Sequence, residues 1–208
     1  MGGFLTLSGI ASVKRRDVER ALRHEADTRG GTFERDSTGL AAQDGLAIVP
    51  GDTGRLSLVY PAFAGAEQIS KHLSKTLNAP VFLFHIHDGD FWMYTFFDRG
   101  KKVDHFNPIP DYWGGDLSPH ERKRCAGDAR KVAKYWPDLK SSTIERYLVS
   151  WQSGSRGQEK AYPDDLYCHH DCRQLIDFMR RLGLAFPLDD NEVPIGDLYW
   201  FDMPEAGD

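Results

Sequence analysis

A chain of 208 residues, 40% hydrophobic and 27% charged, has ordinary globular composition and enough apolar material for one large core, or a core with a smaller annex. Its formal net charge of −5 argues against generic nucleic-acid binding, which needs clustered cations to displace counterions from phosphate. No stretch is apolar for long enough to span a bilayer, so no membrane partner is expected.

Cys125, Cys168 and Cys172 are too few, and odd in number, for a disulfide scaffold, which fits a reducing compartment. The opening MGGFLTLSGIASVKRR has its basic residues after a short apolar run, the wrong order for a secretory signal. A cytoplasmic protein is the expectation. Charge is uneven: Arg122, Lys123, Arg124, Arg130, Lys131 and Lys134 crowd one segment, whereas the chain after Phe186 is acidic without a single Lys or Arg. Such runs usually form solvated faces.

In chain order, Phe4 to Ile10 alternates as a strand. Ser12 then suits the cap of a helix carrying Val18, Ala21, Leu22 and Ala26 on one face, ended by Gly30 and Gly31. Three short strands follow, Thr32–Arg35, Leu46–Val49 and Arg55–Tyr60, separated by glycine-containing turns. A second helix is predicted from Ala64 to Leu77, with Ala66, Ile69, Leu73 and Leu77 inward.

Pro80 to Trp113 reads as two linked hairpins. Asp88-Gly89 suits a type I′ turn. A two-residue loop there pairs His87 with Asp90, Ile86 with Phe91 and His85 with Trp92. That register predicts a core face of Phe82, Phe84, Ile86, Phe91, Met93 and Phe97. The opposite face then carries Leu83, His85, His87, Asp90, Trp92, Tyr94 and Phe96. His105 joins the histidine face or the core face according to the length of the Asp98-Arg99-Gly100 turn.

Beyond Trp113, Ser118-Pro119-His120-Glu121 has the pattern of a capping box with proline at the first helical position, predicting a helix through Tyr135. Ile144, Tyr147, Leu148 and Trp151 recur at helical spacing and predict a helix over 143–151. Gln152 to Lys160 has almost no apolar residue and reads as a mobile loop. A last helix is predicted from Asp171 to Leu182, stopped by Gly183, and Leu198 to Phe201 as a docked strand or arm. The sum is an α+β fold: an antiparallel sheet of about six to seven strands with helices on one face, over residues 1–114, and a mainly helical annex with an acidic arm over 115–208, together one compact unit.

No nucleotide loop, nucleophile elbow or complete metal-ligand set is present, so whether the protein is an enzyme stays open. The candidate surface is His85, His87, Asp90, Trp92 and Tyr94, joined by Tyr112 and Trp113 from the stiff Asn107-Pro108-Ile109-Pro110 exit. Imidazole, carboxylate and amphipathic aromatics on one face suit contact with a partner protein, or with a second copy of the chain. The same residues also allow a metal centre. His85 and His87 project together and Asp90 could complete a chelate, with His169, His170, Cys168 and Cys172 as a second set of zinc-compatible donors. The leading reading is a cytosolic, bacterial-type, non-catalytic protein-binding module with no cofactor. In size, acidity and lack of a catalytic motif it resembles immunity proteins against toxins. The alternative is a metal-dependent hydrolase holding a divalent ion such as zinc.

Overall fold

The computed structural model describes residues 3–42, 45–61, 65–151 and 159–204. Its frame is one antiparallel sheet built from β1 (Leu5–Ile10), β2 (Thr32–Arg35), β3 (Leu46–Pro50), β4 (Leu56–Val59), β5 (Val81–His87), β6 (Phe91–Asp98), β7 (Lys101–Phe106) and β8 (Asp197–Asp202). The order across the sheet is β2-β8-β3-β4-β1-β5-β6-β7. These eight strands are slightly more than expected because the last apolar cluster of the chain inserts as β8 between β2 and β3. The C-terminal part of the chain is thereby tied into the sheet of the N-terminal part.

One face is covered by α1 (Arg15–Arg29) and α2 (Ala66–Thr76). Val18, Leu22 and Ala26 of α1 and Ile69 and Leu73 of α2 pack with Ile10, Ile48, Leu56, Leu58 and Val81 of the strands. Gly30 closes α1 in the left-handed conformation at φ 72°, as its position predicts. Buried hydroxyls serve as a local pin: the Ser8 Oγ lies 2.8 Å from the Tyr60 hydroxyl and 2.7 Å from the Ser70 Oγ, joining β1, the end of β4 and α2.

The other face is set by the first hairpin. Asp88 and Gly89 do form the expected turn, at φ 49° and 71°, and the Asp90 N–H donates to the His87 carbonyl at 2.9 Å. The ladder, however, resumes at His87 opposite Phe91, so Asp90 is an extra residue in the loop. Ile86 therefore faces Trp92, Phe84 faces Tyr94 and Phe82 faces Phe96. A one-residue slip exchanges the faces of a strand, which corrects the expected partition. Trp92, Tyr94 and Phe96 are core residues, whereas Met93 and Thr95 share the face of His85. A bulge at Phe96/Phe97 makes a second shift and sets His105 opposite Thr95, on the histidine face after all.

The annex seals this aromatic face. Its last helix, shorter than the Asp171–Leu182 span expected, is preceded by two more; α3 (Pro119–Arg124), α4 (Ala129–Tyr135) and α5 (Gln174–Arg181) are its α-helices. Phe178 of α5 has its ring centroid 5.0–6.2 Å from those of Phe82, Phe84, Trp92, Tyr94 and Tyr147. Trp136 packs 5.2 Å from Phe82 and donates its indole N–H to the Leu182 carbonyl at 3.0 Å.

The capping box at Ser118 forms as predicted, but the single helix expected through Tyr135 is two. Residues 125–127 leave the helix to bond the outer edge of β7: the Asn107 N–H donates to the Cys125 carbonyl and the Gly127 N–H to the His105 carbonyl. Gly127 adopts φ 68° and Asp128 then caps α4. The Ile144–Trp151 stripe is buried as its spacing implies, yet the backbone there is two single 3-10 turns rather than an α-helix. The predicted loop from Gln152 falls mostly on 152–158, outside the described residues.

Carboxylates replace regular structure in this irregular part. Asp165 accepts from the Tyr147 hydroxyl at 2.6 Å, Arg181 at 2.8 Å and the Tyr162 N–H at 2.9 Å. Asp177 accepts from the Leu166 and Tyr167 N–H groups, both at 2.8 Å, and from Arg180 at 3.1 Å.

Two predictions test this architecture. Deleting Asp90 forces a two-residue loop and turns Trp92, Tyr94 and Phe96 away from the annex, so cooperative unfolding by denaturant is expected to vanish, whereas Asp90→Ala keeps it. Phe178→Ala leaves a cavity at the centre of the aromatic face and is expected to cost about 3–5 kcal/mol in a urea titration; a loss below about 1 kcal/mol would place the annex contact elsewhere.

Candidate functional site

The bonding pattern of β1 with β5 places Leu5 opposite Ile86 and Thr6 opposite His85, so Phe4, just before β1, falls beside His87. The Gly89 N–H donates to the Gly3 carbonyl at 3.1 Å and extends this pairing to the turn. On the other side, the chain leaving β7 passes through Pro108 and Pro110 and returns Tyr112 and Trp113 to the same hairpin end.

Around His87 the ring centroids of Phe4 and Trp113 lie at 4.9 Å, Tyr112 at 5.4 Å and His85 at 5.8 Å. Phe4, Trp113 and Tyr112 meet it edge to face, at interplanar angles of 77–85°. Such geometry satisfies ring quadrupoles. Phe91, buried beneath, backs both Tyr112 at 4.9 Å and Trp113 at 6.0 Å. Trp113 is nevertheless 60% exposed and Phe4 61%.

Polar groups hold this arrangement in place. The Tyr112 hydroxyl donates to Asp90 Oδ2 at 2.8 Å, so the extra residue of the turn also anchors the aromatic exit segment. The bond to Asp90 is the main reason the Tyr112 hydroxyl is harder to ionise than an ordinary phenol. Arg122 holds Asp111 at 2.9 Å and keeps its carboxyl below the usual range. His85 Nδ1 lies 3.1 Å from the Thr6 hydroxyl, and burial with the neighbouring His87 pushes its pKa down. His105, deeper on this face and 3.3 Å from the Thr95 hydroxyl, is pushed down to about 4 by burial and by the charges of Lys102 and Arg124.

Of the residues expected from sequence, the structure gathers His85, His87, Asp90, Tyr112 and Trp113. Trp92 and Tyr94 do not belong: they are buried on the opposite face, Trp92 reaching Gln174 at 3.4 Å and Tyr94 donating to Asp104 at 2.7 Å. Phe4 is the member that sequence reasoning missed. Its signal was its place one residue before a strand that pairs with the histidine strand.

The second cluster lies across the sheet. His169 Nδ1 is 3.0 Å from Gln174, the same amide that takes the Trp92 indole N–H, and His170 stacks on Trp151 at 5.2 Å. Burial lowers the pKa of His169 and raises that of the Cys172 thiol, which makes Cys172 a poorer nucleophile. Cys168 and Cys172 are not in a disulfide. Asp171 binds Arg173 at 2.9 Å. The sheet therefore separates His85 and His87 from His169, while Asp90, out in the turn, is close enough for its charge to bear on the Cys172 thiol. Among the described residues no group of three or more His, Cys, Asp or Glu side chains is placed to hold a metal ion.

The histidines give a pH prediction with a definite sign. A His105 held at about 4 in the folded protein stays neutral while the unfolded chain, at an ordinary value near 6.5, takes up a proton. Its stability contribution is intact above about pH 6.5 and is lost as pH falls toward 4; His85, shifted the same way, adds to the loss. Urea midpoints are expected to fall across that window, and His105→Gln to flatten the slope. An unchanged slope in that variant would mean that His105 protonates freely in the fold.

Comparison with known protein families, curated proteins and solved structures found no match to this chain.

Proposed function

We propose that the protein is a non-catalytic protein-binding module whose contact surface is the patch formed by Phe4, His87, Tyr112 and Trp113. The observation that carries this reading is the exposure of Trp113 and Phe4, at 60% and 61%, within a cluster whose other rings are packed and fixed. Exposing two large rings on either side of His87 wastes hydrophobic free energy in an isolated monomer, and rigid exposed aromatics are the usual anchors of interfaces. Trp113 rests on Phe91 and Tyr112, the latter held by Asp90, and Phe4 rests on His87, so docking would cost little side-chain entropy.

The metal-dependent hydrolase is less well supported. His85 and His87 share a face, but Asp90 is engaged by Tyr112 and the second donor set is across the sheet. An immunity-like role is compatible with the binding module and needs no catalytic residue. For location, no described helix is long and apolar enough to cross a membrane.

The test is a comparison of the tagged wild-type protein with Trp113→Ala in affinity isolation followed by direct binding to whatever stoichiometric partner is recovered. Trp113→Ala is expected to weaken that binding at least about thirtyfold, with melting shifted by less than about 2 °C. Equal binding by the two proteins would remove the patch as the contact surface.

A further inference from the structure

The rim of the patch carries negative charge that no ion pair among the described residues neutralises. Asp88 and Asp90 are exposed in the turn beside His87, and both lie close enough to Tyr112 for their charges to bear on its hydroxyl. Among the described residues neither forms an ion pair: Asp90 accepts only the neutral Tyr112 hydroxyl, and the neighbouring cation, Arg122, is held by Asp111. Carboxylates adjoining exposed ring faces are complementary to a cation, because the ring quadrupole and the carboxylates attract it together. A purely apolar partner would instead have to desolvate Asp88 and Asp90 without compensation.

Resting on the docking surface proposed above, we propose that the partner presents a cationic side chain, an arginine or lysine, which seats against the exposed Trp113 ring with Asp88 and Asp90, beside the adjoining Tyr112, as its counter-charges. Arginine suits the place best: its guanidinium is planar, weakly hydrated and able to stack on a ring while donating to two carboxylates. Such a contact combines the enrichment of arginine and tryptophan at interface centres with electrostatic steering from an otherwise acidic chain of net charge −5. It also predicts sensitivity to salt, since the charged rim is open to solvent.

The test uses two synthetic peptides of equal length, one alternating Arg and Gly and one alternating Glu and Gly, titrated into the full chain while the indole N–H resonances are followed. The Trp113 resonance is identified by its disappearance in Trp113→Phe. The Arg peptide is expected to shift it and the Glu peptide to leave it unmoved. The paired substitution Asp88→Asn with Asp90→Asn keeps an acceptor for Tyr112 while removing both charges; it is expected to weaken Arg-peptide binding about tenfold. Trp113→Ala is expected to abolish it. Equal shifts with both peptides, no shift with either, or full affinity in the Asn pair would each overturn the cationic assignment.

The recovered partner separates this failure from that of the docking reading. Binding lost in Trp113→Ala but retained in the Asn pair and in high salt leaves the docking surface standing and sinks the cationic contact. Binding indifferent to Trp113→Ala sinks the docking surface itself. Self-association of the wild type that Trp113→Ala abolishes and the Asn pair does not would identify a second copy as an apolar occupant, and would likewise overturn the assignment.

Discussion

Asp90 stands in the turn and not in the ladder, and the arrangement of the whole annex side depends on that one residue. With Asp88 and Gly89 both at positive φ the strand reverses in a tight turn, and the extra residue then delays pairing until Phe91 meets His87. The delay puts Trp92, Tyr94 and Phe96 on the same side as Ile86, Phe84 and Phe82, creating an apolar wall of six large side chains across two strands. A wall of that size must be covered, and Phe178 with Trp136 supplies the cover. Asp90 itself, set free of the ladder, turns outward and takes the Tyr112 hydroxyl. The same residue thus fixes the core and one edge of the exposed patch.

The cover is held by buried carboxylates more than by helix length. Asp165 and Asp177 are buried, Asp165 accepting one backbone N–H, the Tyr147 hydroxyl and an arginine, and Asp177 two backbone N–H groups and an arginine. A buried carboxylate is tolerable only with such a full complement of donors. In return it organises a segment that has no ladder or helix of its own. Asp104 does the same at the edge of β7, taking the Tyr94 hydroxyl at 2.7 Å and the Asp128 N–H at 2.8 Å where the chain breaks between α3 and α4.

These interactions mark how far the sequence could be read. The N-terminal elements were legible because period and glycine agreed there: β2 spans Thr32–Arg35 as its pattern predicts and Gly30 ends α1, although α1 starts after Lys14 with no side-chain cap rather than at the expected Ser12, which sits at φ 51°. The Asp88-Gly89 chemistry was legible too, but a turn dipeptide does not state how many residues follow before pairing resumes. In β6, FWMYTFFD, large apolar side chains fall on both sides, so its alternation has no polar face to set the register. Tertiary contacts overrode local pattern in the annex. Ser118 to Tyr135 is helix-forming apart from Gly127-Asp128, and the open edge of β7 claims the backbone of residues 125–127 at that break. At the site, His85, His87, Tyr112 and Trp113 came together because the sheet face and the proline exit were both readable. Trp92 and Tyr94 were misplaced with the register, and Phe4 depended on knowing that β1 lies beside β5.

The sheet also determines which chemistry can be shared. A β-sheet with side chains packed on both faces is an insulating wall about 10 Å thick between the groups on either side. His85 and His87 lie on the α1 and α2 face, whereas His169 is fixed through Gln174 to Trp92 on the annex face. The histidines of the two donor sets that looked like halves of one centre therefore lie on opposite faces. The second set is half-buried, and burial shifts His169 and Cys172 toward their neutral forms. The first is open: α2 covers the Val81 end of β5 and stops short of the His87 end, where Trp113 and Phe4 remain in solvent. Exposed rings on a rigid base, rimmed by the exposed carboxylates of Asp88 and Asp90, are the features on which the proposed recognition surface rests.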